Sequence, residues 1–342
     1  LLFYEHRGAC TTCDENGSCA LQRYAYAYQL DESIFTPPPK SEPARNYTTG
    51  NEAIEYDPDK CIRCGRCIRI CEEVQMDTAL TFKNRAGRVE VTTFFDIPLN
   101  ESTCELCGQC ISTCPTGALY ERQAKGKGQC KDLRRIRTTC PYCGVGCQID
   151  LNVNKNKIVR VTSEVGCIPN DGNLCVKGRF AMEFVGSDKR LTTPLIKRNG
   201  KFEQASWDEA IELVAKRLGE IKAAYGPDSI GGLSSAKCTN EDNYVFQKFI
   251  RAVIGTNNVD HCTRLCHAST VAGLAKAFGS GAMTNSIDEF QHAACIFIIG
   301  SNTTEAHPVI GLEIKKAVKN GAVLIVADPR QIDITRFASI HI

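Results

Sequence analysis

Three scarcities in this 342-residue sequence each bear on what it can do. No apolar run approaches the roughly 18 residues that a bilayer-spanning helix needs, so no direct membrane insertion is expected. Net charge is nearly absent, since 41 Lys and Arg against 39 Asp and Glu leave +2. Such a chain has no cationic excess to hold nucleic acid or an anionic lipid surface. An initiator methionine is lacking as well, and the chain closes on the strand-like Ile340-His341-Ile342. These ends read as those of a segment of a longer polypeptide, so the lack of a targeting signal carries little weight.

What abounds is cysteine, with 21 residues. In a short secreted protein they would suggest a disulfide framework. Here they cluster as C-x2-C runs in an ordinary globular composition, which points to metal ligation in a reducing compartment, the cytoplasm. Cys61, Cys64, Cys67 and Cys71 form one C-x2-C-x2-C-x3-C run. Cys104, Cys107, Cys110 and Cys114, followed by Pro115, form a second. In ferredoxins with two such runs, the fourth Cys of each ligates the other cluster. The spacing therefore predicts one 4Fe-4S cluster on Cys61, Cys64, Cys67 and Cys114, and another on Cys104, Cys107, Cys110 and Cys71. An earlier run, His6, Cys10, Cys13 and Cys19, replaces one thiolate by an imidazole, which makes a cluster less negative and raises its potential. The fourth run, Cys140, Cys143, Cys147 and Cys175, closes across a long gap, so a loop must fold back; a zinc ribbon is its alternative. Cys130 and Cys167 fit no run and read as unligated thiols.

Between and after the runs the pattern changes. A helix-like stretch lies around Leu21 to Leu30, and a Pro-rich linker runs from Thr36 to Pro43. The Gly, Lys and Arg stretch from Gln123 to Arg137 reads as a solvated connector, with contact to a partner subunit as the alternative. Ser206 with Glu209 forms a capping box ahead of Ala210, Ile211, Leu213, Val214, Leu218 and Ile221, an amphipathic helix stopped by Gly226-Pro227. Apolar runs at Cys295–Ile299 and Ala322–Ala327 flank a helix from Val309 to Val318, a strand–helix–strand unit with parallel strands.

Several stretches then converge on one family. Cys175-Val176-Lys177-Gly178-Arg179-Phe180 and Ser206-Trp207-Asp208-Glu209-Ala210 resemble the molybdopterin oxidoreductases. So do Thr239 to Tyr244, Ala252 to Asp260, Arg264-Leu265-Cys266-His267 and Val271 to Leu274, in the manner of a formate dehydrogenase catalytic subunit. The N-terminal runs are similar to the electron-input module fused to soluble forms of that enzyme, although the 2Fe-2S domain that usually precedes it is not present. The resemblance implies that the Cys266 thiolate ligates molybdenum or tungsten and that His267 is the active-site histidine beside the substrate. Lys177 then matches the lysine between cluster and pterin, and Cys262 has no assigned role. Gly300-Ser301-Asn302 and Asp328-Pro329-Arg330, at the carboxyl ends of strands, match loops that hold a molybdopterin guanine dinucleotide, with Glu305 and His307 nearby.

The expected protein is multidomain, with small α+β ferredoxin-like iron–sulfur domains followed by an α/β molybdopterin-binding region with parallel strands. Its order is a 4Fe-4S domain with one histidine and three cysteine ligands (1–35), a linker (36–56), a two-cluster ferredoxin domain (57–122), a linker (123–135), a 4Fe-4S domain (136–190) and an incomplete α/β region (191–342). The implied activity is reversible oxidation of formate to carbon dioxide at a molybdenum or tungsten bis-(molybdopterin guanine dinucleotide) centre. Four 4Fe-4S clusters would relay the electrons to a flavin- and NAD(P)-linked or hydrogenase-linked subunit. The rivals are a non-catalytic electron-transfer subunit of a respiratory NADH dehydrogenase-like complex and an iron-only hydrogenase subunit. Cysteine motifs for the hydrogenase catalytic cluster do not occur after residue 130.

Overall fold

The computed structural model describes residues 6, 10–30, 50–85 and 88–342, and the chain divides into two compact units. One unit joins residues 1–187 to 287–342, and the other holds 188–286. The α/β region expected over 191–342 is thus shared between the units. The Pro-rich stretch from Thr36 to Pro43 lies outside the described residues.

In the first unit, helix α1 (Ala20–Ala27) starts at Cys19, whose thiol accepts the Gln22 N–H at 3.4 Å. Strand β1 (Ile54–Tyr56), helix α2 (Arg66–Arg69), the hairpin β2 (Leu80–Arg85) and β3 (Arg88–Thr93), helix α3 (Gln109–Thr113) and β4 (Leu119–Glu121) follow. β1 pairs antiparallel with β4, so the start and end of this α+β segment close on each other. β1 falls inside the expected linker 36–56, because Ile54 is fully buried among Tyr56, Cys67, Leu80 and Leu119 and anchors the segment's core. Next comes an antiparallel sheet of β5 (Arg134–Thr139), β6 (Gln148–Asn154) and β7 (Lys157–Thr162), then helix α4 (Val176–Phe180). β5 begins within the expected connector, since Arg134 pairs with Val153.

The second unit opens on a hairpin of β8 (Leu195–Arg198) and β9 (Lys201–Gln204), turning at Asn199 and Gly200, both at positive φ. Helix α5 (Trp207–Tyr225) begins where Ser206 Oγ accepts the Glu209 N–H at 3.2 Å, and Gly226 at φ 82° ends it. The Glu209 carboxylate pairs with Arg198, a stronger partner than the neutral backbone N–H a capping box would offer it. Leu218 and Ile221 pack against buried Ile230, Ile250 and Ile254, whereas Ile211 and Val214 are exposed. Strands β10 (Gly232–Ser234) and β11 (Val259–His261) are parallel and three residues long, and Val259 of β11 joins the same cluster. Helices α6 (Asn240–Lys248), α7 (Thr263–Cys266) and α8 (Ala268–Phe278) complete this unit.

The chain then returns to the first unit with β12 (Cys295–Ile299), α9 (Thr303–Ala306), α10 (Pro308–Lys319), β13 (Val323–Ala327) and β14 (Ile340–His341). The three strands are parallel in the order β12-β13-β14, and α10 lays Ile314 and Ala317 on Ile296, Leu324 and Val326. The expected strand–helix–strand unit is present, in an α/β arrangement that follows the α+β segments.

Candidate metal centres

The two ferredoxin-like runs fold as copies of one backbone. Arg63 and Leu106 sit at φ 56° and 53°, and Gly65 and Gly108 at 72° and 69°. In each copy the first thiol accepts the N–H two residues on, Cys61 from Arg63 and Cys104 from Leu106, both at 3.4 Å. The fourth thiols do the same at longer range, Cys71 from Ala79 at 3.3 Å and Cys114 from Leu119 at 3.5 Å. N–H donors aimed at sulfur stabilise thiolate charge, and they also explain why non-glycine residues accept left-handed conformations here.

Cys114 shares a cavity with Cys61, Cys64 and Cys67, not with its own run. Cys71 correspondingly lies in the electrostatic field of Cys104, Cys107 and Cys110. Burial, reinforced by these neighbouring sulfurs, pushes the Cys67, Cys104 and Cys107 thiols up to about 12. Thiols so placed stay protonated alone, and a bound cationic metal would hold them as thiolates. Among the described residues no three His, Cys, Asp or Glu side chains close on one ion position. A four-iron cubane binds one thiolate at each iron and so needs its ligands further apart than a single ion does.

His6, Cys10, Cys13 and Cys19 line a cavity of about 300 Å³ together with Asp57 and Lys60. His6 Nδ1 lies 3.0 Å from the Lys60 carbonyl oxygen. A carbonyl can only accept, so Nδ1 carries the proton and Nε2 keeps the lone pair a metal needs. Burial lowers the His6 pKa and favours that neutral ring. Thr116 Oγ1 donates to the same carbonyl at 2.7 Å, and the Ala20 N–H donates to the Pro115 carbonyl at 2.9 Å. The first run therefore abuts the residues that flank Cys61 and Cys114.

Cys140, Cys143, Cys147 and Cys175 line one small cavity with Lys177, Gly178 and Pro308. A Cβ on Gly178 would stand 3.6 Å from Cys140 Sγ, an ordinary contact, so α4 packs directly against the sulfurs at this position. Burial lifts the Cys147 thiol to about 12, with the Cys140 charge adding to it. Pro308 opens α10, so this cavity borders the loop leading out of β12. That loop starts at Gly300, whose N–H donates to the Ala327 carbonyl at 2.9 Å, and Ser301 Oγ lies 3.3 Å from Thr303 Oγ1. Asn302 Nδ2 donates to Glu305 Oε2 at 2.7 Å. Pro329 separates Asp328 from Arg330, whose N–H and Nε donate to Asp328 Oδ1 at 2.9 and 3.2 Å and hold that carboxyl below its ordinary pKa. Both loops leave the carboxyl ends of adjacent parallel strands.

In the second unit, Cys266 ends α7 and His267 links it to α8, just beyond the carboxyl end of β11. The Cys266 side chain is exposed. Cys262 is tied to the backbone, accepting the Ala236 N–H at 3.2 Å. Outside the four runs, Cys130 Sγ lies 2.7 Å from Arg160 Nη2, and Cys167 donates to the Glu164 carbonyl at 2.8 Å. Two residues with no expected role, Arg179 and Lys315, prove to be buried cations beside the cysteine runs. Arg179 stands in a motif visible in the sequence, whereas Lys315 is one lysine of an amphipathic helix and carries no local signal.

Family models match most of the chain in four pieces. They are the NADH-ubiquinone oxidoreductase-G iron-sulfur binding region over residues 1–33, and the ferredoxin-like domain of NADH-quinone oxidoreductase subunit 3 over 51–120. The molybdopterin oxidoreductase Fe4S4 domain matches 133–187, and the molybdopterin oxidoreductase model matches 190–342. "Probable oxidoreductase YjgC" of Bacillus subtilis is 35% identical over 96% of this chain and 37% of its own length. A "Putative formate dehydrogenase" of Staphylococcus aureus is 34% identical over 92% of this chain and 36% of its own. The chain thus spans little more than a third of these relatives. Acetylene hydratase from Pelobacter acetylenicus has a TM-score of 0.49 at 22% identity, over 60% of this chain and 29% of that one.

Proposed function

We propose, for a chain that belongs to the molybdopterin oxidoreductase family, that it forms the electron-relay and part of the cofactor-binding region of a formate dehydrogenase catalytic subunit. The observation that carries this reading is the gathering of the cysteines into four groups, three lining cavities of their own and the fourth, Cys71 with Cys104, Cys107 and Cys110, within one another's field, with the Cys140 group bordering the loop after β12. The name of the Staphylococcus aureus relatives supports formate as the substrate. Formate loses two electrons and one proton to give carbon dioxide, and the reverse reduces carbon dioxide. When bound, the molybdenum or tungsten bis-(molybdopterin guanine dinucleotide) supplies the two-electron redox chemistry. Cys266 would hold the metal as a thiolate, and His267 beside it would hold or release the proton. Gly300, Ser301, Asn302, Asp328, Pro329 and Arg330 would hold the dinucleotide, and Lys177 would lie between it and the Cys140 site. The sixteen ligands of the four runs would bind one 4Fe-4S cluster per site, with Cys71 and Cys114 exchanged between runs. The electrons would leave toward a flavin- and NAD(P)-linked or hydrogenase-linked subunit. A cytoplasmic location suits 21 cysteines, none of them in a disulfide. Among the described residues no helix is long and apolar enough to cross a membrane.

The test uses the full-length polypeptide, measuring molybdenum, tungsten and iron by mass spectrometry alongside formate-dependent dye reduction. Cys266→Ser offers a harder oxygen ligand and should abolish formate oxidation while all iron is retained. His267→Ala should keep metal and iron and lose about 10²–10⁴-fold in turnover, the range for one acid–base group. Cys262→Ser is the control; damage there with full activity in Cys266→Ser would put the metal on the wrong cysteine. The second reading, a non-catalytic subunit of an NADH dehydrogenase-like complex, is favoured by the family models that match residues 1–33 and 51–120. A full-length protein with iron but neither molybdenum nor tungsten would establish it instead.

A further inference from the structure

Arg179 is 3% exposed, and its surroundings are unusual for a buried cation. Its Nε donates to the Cys107 carbonyl at 2.7 Å and its Nη2 to Gln109 Oε1 at 3.3 Å, both neutral acceptors. Its backbone N–H donates to the Cys175 carbonyl at 3.0 Å. One residue therefore bonds directly to a proposed ligand of each of two cluster sites. The approach is close: a Cβ on Gly108 would lie 2.1 Å from Arg179 Cδ and 2.7 Å from Nε. Gln109 Nε2 also donates to Asn173 Oδ1 at 2.6 Å, and Gln75 Nε2 to the same oxygen at 2.8 Å. This buried amide network ties the ferredoxin-like segment to the loop that delivers Cys175.

A guanidinium stays charged at any physiological pH, and burying it is costly unless opposite charge lies nearby. The nearby carboxylate in its field is Glu121, whose carboxyl burial lifts to about 7, so it is only partly ionised near neutrality. Cys107, Cys110 and Cys175 lie in the same field. The other buried cation here, Lys315, differs, because Asp77 and Glu105 lie 2.9 and 2.5 Å from its Nζ and largely cancel its charge.

We propose that Arg179 is a positioning residue shared by the Cys71, Cys104, Cys107, Cys110 site and the Cys140, Cys143, Cys147, Cys175 site, a fixed cation that raises the reduction potential of both. This rests on the cluster assignment above. Anionic clusters on either side supply the counter-charge that the protein's own acceptors do not, and each added electron is stabilised by the same guanidinium. A cation shared in this way shifts the two potentials in the same direction.

The test is a redox titration of the full-length protein, followed by paramagnetic resonance with iron content measured in parallel. In Arg179→Gln the potentials of these two clusters should fall, while the His6 and Cys61 clusters keep theirs. Arg179→Lys retains the charge and loses the fork, so it should stay near the parent. All four clusters assembled in Arg179→Gln with no selective fall would overturn the proposal. So would a fall in Arg179→Lys as large as in Arg179→Gln, and if Arg179→Gln fails to assemble, any substantial fall in Arg179→Lys decides against it. A parent protein without iron at these two sites would instead refute the ligand assignment, which separates the two failures.

Discussion

Cys71 shows how a single residue's partners depart from its sequence neighbours. It lies four residues after Cys67, yet its thiol sits in the field of Cys104, Cys107 and Cys110, while the Ala79 N–H at 3.3 Å fixes its direction. Removing one of four ligands exposes an iron to solvent and destabilises the whole cluster. Cys71→Ala should therefore damage the cluster of Cys104, Cys107 and Cys110 and leave that of Cys61, Cys64 and Cys67 intact. Paramagnetic resonance of the reduced variant distinguishes the two; loss of the Cys61 signal instead would reverse the exchange of ligands.

At the scale of the element, the duplicated loops offer an internal comparison. Gly65 and Gly108 occupy the same turn at φ 72° and 69°, where an alanine costs roughly 1–2 kcal/mol in backbone strain. Their surroundings differ. A Cβ at Gly65 meets only Phe82, at 3.4 Å, an ordinary contact. At Gly108 it would meet Arg179 Cδ at 2.1 Å and Phe180 Cζ at 2.9 Å, and both side chains are buried and cannot swing away. Gly65→Ala should lose about the strain alone in chemical denaturation. Gly108→Ala should lose clearly more, together with iron from the Cys104 site. Equal losses would mean that the loop, not Arg179, yields.

Across the first unit, a buried ion cluster joins the ferredoxin-like segment to the α/β segment. Lys315 of α10 and Asp77 are each 2% exposed at the side chain, 2.9 Å apart, with Arg336 3.7 Å from Asp77. Breaking such a pair from one side leaves a buried charge uncompensated and costs about 3–5 kcal/mol, whereas replacing both partners is far milder. Lys315→Met should therefore destabilise the protein strongly, and adding Asp77→Leu should recover much of the loss. A double variant no more stable than the single one would show that the pair is not coupled.

Much of this was legible in the sequence because the chemistry demands local spacing. Three of the four thiols proposed for each ferredoxin-like cluster come from one short loop, so C-x2-C-x2-C announces itself, and the period and punctuation of Val309 to Gly321 announce a helix between two strands. Ser206 likewise marked the start of α5, although the partner of Glu209 turned out to be Arg198 on the preceding hairpin. Where β1 begins was not legible, because Ile54 is a core residue only through pairing with residues near 120. Only the tertiary structure could bring Arg179 to Cys107, 72 residues away, or Lys315 to Asp77, 238 residues away. A buried charge is defined by what surrounds it, and those surroundings come from segments whose separation along the chain leaves no pattern to read.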